Sequence, residues 1–276
     1  MTSQSQIIRD LGITPDFDAE REASRRRAFL KTYLLRARLH NLVLGISGGV
    51  DSTTAGMLAQ EAVKDLRASG VNARFIAVRL PYGTQADASD ADAALATINP
   101  DLIFEVDIAP ATDGMWQSLR RAGFSPASAT QADFLRGNVK ARQRMIAQYA
   151  LAGGTEGLVI GTDHAAEAVM GFFTKFGDGA ADLLPLAGLT KRRVRALASH
   201  LGAPDHLVNK VPTADLEDLA PLRPDEDAYG VTYEQIDDFL EGKSVDTRVA
   251  EIILSRYRAT AHKRALPATP ADMSNA

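Results

Sequence analysis

The hexapeptide Ser47-Gly48-Gly49-Val50-Asp51-Ser52 joins residue types that handle phosphate to one that handles metal. It follows Leu42-Val43-Leu44-Gly45-Ile46, an apolar run with the character of a buried strand, and Ser47, Asp51 and Ser52 are types that cap and open helices. Adjacent glycines let a backbone approach a ligand closely. The N–H groups of such a turn and of the first helical turn then face an anion. A Walker A loop would place Lys and then Ser or Thr after its last glycine, where Val50 and Asp51 stand here. An aspartate aimed at phosphates repels them unless a cation lies between, so the loop predicts Mg²⁺ with a nucleotide or pyrophosphate. Read alone, the hexapeptide is equally a glycine turn before a helix capped by Ser47 or Ser52.

An anion loop of this kind needs the carboxyl edge of a parallel sheet, and the flanking sequence supplies one. Residues 41 to 46 form the first strand, and the helix after the loop carries Ala55, Leu58, Ala62, Val63 and Leu66 on one face. Residues 73 to 81 form the second strand, completing a β-loop-α-β unit long enough for a parallel crossover. Further strands are expected over 102 to 108 and 157 to 161, with helices over 87 to 97, 112 to 122 and 134 to 151. The last strand runs into Thr162-Asp163-His164-Ala165-Ala166-Glu167, a second polar strand end that opens a helix, so two such edges would face one crevice. Residues 7 to 40 read as helical ahead of the sheet, with Phe29, Leu30, Tyr33, Leu34 and Leu35 as an apolar stripe. Thr190 caps a helix reaching Gly202, and helices over 232 to 240 and 247 to 263 close the chain. Residues 82 to 87 and 203 to 230 are expected to be mobile lids, and 265 to 276 a disordered tail. The expected fold is one α/β domain over residues 1 to 276, a doubly wound, Rossmann-like, mainly parallel sheet with helices on both faces.

Composition narrows the function. The chain has 276 residues, 45% hydrophobic and 24% charged, and its net charge of −4 leaves no electrostatic footprint for nucleic acid or an acidic membrane surface. The triplets Arg25-Arg26-Arg27 and Lys191-Arg192-Arg193 fall in helical patterns and read as solvated faces. There is no cysteine, which excludes disulfides, thiolate metal sites and a thiol nucleophile. The first six residues lack the order of a signal peptide and no apolar run nears membrane-spanning length, so the expected location is the cytoplasm.

The hexapeptide resembles the SGGxDS motif of the N-type ATP pyrophosphatases, which split ATP into AMP and pyrophosphate to activate a carboxyl or carbonyl group. Within that group the chain is similar to the ammonia-dependent NAD synthetases along nearly its whole length: residues 75 to 81, 137 to 149, 161 to 167, 171 to 179, 182 to 191 and 212 to 216, and His262-Lys263-Arg264. The resemblance implies ATP over Gly45, Ile46, Ser47, Gly48, Gly49, Val50, Asp51 and Ser52, with Thr162, Lys191 and Thr213 also touching it. It implies Mg²⁺ on Asp51 and Glu167, deamido-NAD on Arg142, Lys175, Asp182, His262 and Lys263, and a homodimer whose interface completes that site. Asp51, Glu167 and Lys175 would be the catalytic residues, and Asp178 is a candidate base for ammonium. The implied reaction adenylates the nicotinate carboxylate of deamido-NAD, after which ammonia displaces AMP. Glutamine-using relatives carry an added hydrolase domain with a catalytic cysteine, so free ammonia is the expected donor here.

Each residue also has a plainer reading. Arg142 is a surface helix cation, Glu167 a first-turn acid, Lys191 one of three charges at a helix start, and His262 a solvated residue near the terminus. Two other functions share the motif: an SGGxDS enzyme with a different acceptor, and an adenine-nucleotide-binding module without chemistry.

Overall fold

The computed structural model describes residues 2–83, 88–213 and 216–270. Its centre is an all-parallel sheet of four strands, β1 (Asn41–Gly45), β2 (Arg74–Arg79), β3 (Leu102–Glu105) and β4 (Gly157–Val159), in the order β3-β2-β1-β4. Helices α1 (Gln4–Asp10) and α2 (Ala19–Ala37) precede β1, α3 (Val50–Ala68) and α4 (Ala88–Ile98) follow β1 and β2, and α5 (Ala109–Arg121) and α6 (Ala129–Gly154) join β3 to β4. After β4 come α7 (Ala165–Met170), α8 (Lys191–His200), α9 (Asp205–Val208), α10 (Asp225–Tyr229), α11 (Tyr233–Leu240), α12 (Thr247–Ala259) and α13 (Ala261–Arg264). No helix among the described residues is long and apolar enough to cross a membrane.

Successive side chains alternate across a strand, and that alternation makes the fold doubly wound. Leu42, Leu44, Phe75 and Ala77 turn to one face, where α2, α3, α4 and α8 cover them with Leu30, Leu58, Ile98 and Leu197. Val43, Ile76, Val78 and Val159 turn to the other, where α6 covers them with Ala147, Leu151 and Ala152, and α5 packs beside α6. A separate apolar cluster gathers Ile7 of α1, Val169 and Met170 of α7, Ile236 and Phe239 of α11, and Ile253 of α12. The sheet and its two covered faces match the expected fold class. β3 stops at Glu105, short of its expected end, because it is an edge strand. Leu102, Ile103 and Phe104 remain exposed, and the chain beyond is held to β2 and the residues after it by the bonds from Val106 N–H to Arg79 and from Ile108 N–H to Pro81.

Other boundaries differ for local reasons. Residues 7 to 40 are two helices, since Gly12 adopts φ 66°, Pro15 follows, and Asp18 caps α2 by accepting the Arg21 N–H at 2.8 Å. α6 starts before Phe134 because Ser128 accepts the Gln131 N–H at 3.1 Å while Gln131 Oε1 accepts the Ala127 N–H at 2.6 Å. The stretch from 203 to 230 carries α9 and α10 at its ends, with Leu207, Val208 and Tyr229 buried, helices too short for periodicity to reveal. Of the expected lid over 82 to 87, only Tyr82 and Gly83 lie within the described residues, and residues 271 to 276 of the expected tail lie outside them.

Candidate functional site

The loop between β1 and α3 is fixed at both ends. Gln148 of α6 accepts the Gly45 N–H at 2.8 Å, and the Ile46 N–H donates to Val78 of β2 at 2.9 Å, so the loop leaves the middle of the sheet. The Ser47 and Ser52 hydroxyls lie 3.2 Å apart, and Ser47 Oγ accepts the Gly49 N–H at 3.3 Å. Gly49 is the N-cap of α3 and uses no side chain to cap it, so the expected capping by Ser47 or Ser52 does not occur. The N–H groups of the first turn, starting at Val50, therefore have no acceptor within the helix. Gly45, Ile46, Ser47, Gly49, Val50, Asp51 and Ser52 line one cavity, whereas Gly48 turns its back on it and packs against α4.

An acidic cluster closes the base of that cavity. Asp51 of α3, Glu167 of α7 and His164, the N-cap residue of α7, each bring one ligand-type atom within 4.8 Å of the others. Lys191, at the start of α8 and 1% exposed, donates from Nζ to Asp51 Oδ2 at 2.8 Å and lies 3.5 Å from His164 Nε2. Asp51 Oδ1 is buried with no hydrogen-bond partner among the described residues. Burial opposes ionisation of Asp51, yet the Lys191 ammonium holds its pKa below the ordinary carboxylate range. Burial would lower the Lys191 pKa, but Asp51 and Glu167 hold it above the usual value. Glu167 is pushed well above the ordinary value by burial and by Asp51, Asp163 is pushed up to about 7 by burial, Asp178 and Asp51, and burial brings His164 down to about 3, keeping its ring neutral.

Lys191 owes its position to a residue that the sequence did not single out. Thr190 makes no capping bond; it lies 3.2 Å from Glu241 instead. Asp237 of α11, 1% exposed, accepts the Lys191 and Arg192 N–H groups at 3.0 and 2.7 Å and so caps α8 from a different helix. Arg192 and Arg193 also pair with Glu241, so the basic triplet is anchored rather than a solvated face.

Thr162, Lys191, Thr213 and Lys263 line the same cavity, with Thr213 bridged to Pro224. Lys263 Nζ donates to the Gly171 and Phe173 carbonyls at 2.9 Å each. Arg142, Lys175, Asp182 and His262 do not line it. Arg142 donates to the Lys175 carbonyl at 3.1 Å, Lys175 Nζ donates to the His262 carbonyl, and Asp182 accepts the Val159 N–H at 2.7 Å. Asp178 lines the cavity and accepts the Thr174 N–H at 3.0 Å. The sequence assigns no role to two groups here: His164, which belongs to the cluster, and Asp225, which borders it. Asp225 is 6% exposed, accepts from the Tyr233 hydroxyl at 2.9 Å and has its other oxygen unpartnered among the described residues; nothing set it apart in an acid-rich stretch.

A parallel sheet, an SGGxDS loop at the end of its first strand and a carboxylate cluster at the next strand end define an α/β protein of the SGGxDS nucleotide-binding class. The family model for NAD synthase matches residues 22–267, and the chain belongs to that family. It is 62% identical over 266 residues to the NH3-dependent NAD+ synthetase of Burkholderia pseudomallei (strain 1106a), covering 96% of this chain and 94% of that relative. Among solved structures it is similar to NAD+ synthetase from Burkholderia pseudomallei, with a TM-score of 0.83 and 61% identity over 96% of each chain. It is also similar to NMN synthetase from Francisella tularensis, with a TM-score of 0.81 and 35% identity over 92% of this chain and 99% of that one.

Proposed function

We propose that the chain is an ATP-dependent ligase that amidates deamido-NAD with ammonia to give NAD, and that Asp51 and Glu167 hold Mg²⁺ in the reaction. The observation that carries the reading is the unpartnered, buried Asp51 Oδ1 beside Glu167, directly after the glycine loop. Carboxylate oxygens are the donors a hard cation takes. Bound there, Mg²⁺ would offset negative charge on the phosphates as ATP is cleaved.

The substrate carboxylate is unreactive toward amines until its oxygen is made a leaving group. Its attack on the α-phosphorus forms the acyl-adenylate as the bond to the β-phosphate breaks. The free N–H groups of the first turn of α3, from Val50 on, would hold the departing pyrophosphate, and Lys191 would follow the charge from Asp51 onto it. Ammonia then adds to the acyl carbon and AMP leaves. Asp178, at the cavity wall, would accept the proton of an incoming ammonium. Arg142, Lys175, Asp182, His262 and Lys263 would hold deamido-NAD with a second copy of the chain. Ile146 and Phe176, 52% and 54% exposed, lie one helical turn from Arg142 and next to Lys175 in the chain and would offer that copy apolar contacts.

Purified chain is expected to release pyrophosphate only with ATP, deamido-NAD and ammonium together, and glutamine should not replace ammonium. Equal turnover with glutamine, or release without the dinucleotide, would overturn the assignment. Nicotinate mononucleotide serves as the rival acceptor, and its use in preference to deamido-NAD would redirect the specificity.

A thermal signature should accompany the metal. Asp163 and Glu167 hold protons in the folded chain that the unfolded chain releases at lower pH. Raised folded values contribute stability present below the unfolded pKa and lost as pH rises through the folded one. His164, lowered, acts oppositely, its contribution being lost as pH falls below its unfolded value. Between about pH 5 and about pH 7, where Asp163 gives up its proton, the metal-free protein should therefore lose the contribution to Tm that the protonated carboxyl groups make, and excess Mg²⁺ should raise Tm more at about pH 7 than at about pH 5. A Mg²⁺ effect that is the same at both pH values would remove Glu167 from the ligand set.

A further inference from the structure

Two stretches far apart in sequence border the cavity. One runs from Leu80, which lines it, to Tyr82 and Gly83 after β2; the other is residues 216 to 224, of which Leu216, Glu217, Arg223 and Pro224 line it. Both are fastened to the same turns of α6. Asp133 accepts the Asp218 and Leu219 N–H groups at 2.9 and 2.8 Å. Lys140 Nζ, on a side chain 3% exposed, meets Asp218 Oδ1 at 2.6 Å, and Arg136 Nη1 meets Asp218 Oδ2 at 3.2 Å, one cation to each oxygen. Gly137 sits between those two cations, and a Cβ there would lie 3.0 Å from the Leu216 carbonyl oxygen, so the second stretch lies against the helix backbone itself.

Arg136 also reaches the other way. Its Nη2 lies 2.6 Å from Asp113 Oδ1 of α5 and donates to the Tyr82 hydroxyl, which itself donates to Asp113 at 2.7 Å. The Tyr82 ring stacks on the cations, with Lys140 Nζ 4.2 Å and the Arg136 guanidinium carbon 5.4 Å from its centroid. A guanidinium is suited to this because its donors form a rigid planar fork; an ammonium is a single point charge and cannot span both partners. None of these side chains belongs to the phosphate loop or the carboxylate cluster.

We propose that Arg136 is a positioning residue that couples the two cavity walls: one nitrogen grips the Tyr82 and Asp113 pair and the other grips Asp218, so that loosening either wall loosens the other. The inference concerns the shape of the cavity and holds whichever acceptor the enzyme uses.

Hydrogen exchange on the full chain without ligand tests it. The Gly83 N–H, bonded to Asp107 at 3.1 Å, reports the first wall, the Asp218 and Leu219 N–H groups report the second, and the Ile46 N–H, bonded to Val78, reports global stability. Tyr82→Phe removes the hydroxyl that Arg136 and Asp113 share and leaves every bond of the second wall in place. It should nevertheless speed exchange at Asp218 and Leu219 by about threefold or more, the scale of coupling between side chains in one network, while Ile46 is unchanged. Arg136→Lys keeps the charge and loses the fork, and should speed exchange at both walls. Change confined to Gly83 in Tyr82→Phe, or wild-type exchange at both walls in Arg136→Lys, would overturn the coupling. A second readout is kinetic: Arg136→Lys should raise the KM for ATP by a larger factor than it lowers kcat. Because the exchange experiment contains no substrate, its failure would be distinguishable from an error in the proposed reaction.

Discussion

Asp51→Asn is expected to slow pyrophosphate release by about a hundredfold or more, the scale of losing one preorganised charge partner of a transition state. Its Tm should fall as well. Lys191 is 1% exposed and its ammonium lies 2.8 Å from Asp51 Oδ2, so Asn leaves a buried charge without its main counterion. Removing one member of such a pair typically costs about 3–5 kcal/mol. The two effects separate in the double variant Asp51→Asn/Lys191→Met, which removes both charges: a buried pair can be replaced by less polar groups with little loss of stability, so Tm should recover while turnover does not. Glu167→Gln should behave differently again. The Glu167 pKa is already raised well above the usual value by burial and Asp51, so the amide resembles the neutral form the fold favours. Its Tm should match or exceed that of the wild type while turnover is lost. Thermal denaturation and pyrophosphate release on the four proteins decide the matter. If turnover returned together with Tm in the double variant, Asp51 would be a folding residue and its proposed metal role would be untenable.

That buried pair also marks where sequence reading stops. The strands and long helices follow from periods of two and 3.6 residues, which are local properties, and Ser47 to Ser52 and Thr162 to Glu167 announce themselves as polar breaks after apolar runs. Contact between Lys191 and Asp51 is a tertiary fact, and no spacing encodes it. The same holds for Asp237. Thr190 has the right chemistry at the right position to cap α8, yet a carboxylate from α11 caps it. Periodicity failed at α9 and α10 because helices of four and five residues complete little more than one turn. The group Arg142, Lys175 and His262 shows a different limit. The resemblance joins them to the substrate site, while in one copy of the chain they are linked to one another outside the cavity. Homodimerisation, which the same resemblance implies, would reconcile the two.

Within the loop itself, the adjacent glycines are expected to differ sharply. Gly48 adopts φ 84°, in the left-handed region, and a Cβ there would lie 2.5 Å from Ala91 N and 2.6 Å from the Asp90 carbonyl carbon. Both obstacles are backbone of α4 and cannot rotate away. Left-handed strain and overpacking together should make Gly48→Ala cost about 2–5 kcal/mol. The distortion should also reach the chemistry, because Gly48 leads through Gly49 and Val50 to Asp51, and a reacting group misplaced by about 1 Å can lose about a hundredfold in rate. Gly49 has an ordinary φ of −79°, and a Cβ on it would meet only Ser47 Oγ, at 3.5 Å. Gly49→Ala should therefore keep a Tm near that of the wild type. Since Gly49 lines the cavity and Gly48 does not, the added methyl of Gly49→Ala should instead weaken ATP binding. Measuring Tm and ATP affinity for both variants tests this division of labour. Equal Tm losses would mean that α4 yields to the Gly48 methyl, and that the close approach of α4 does not fix the loop.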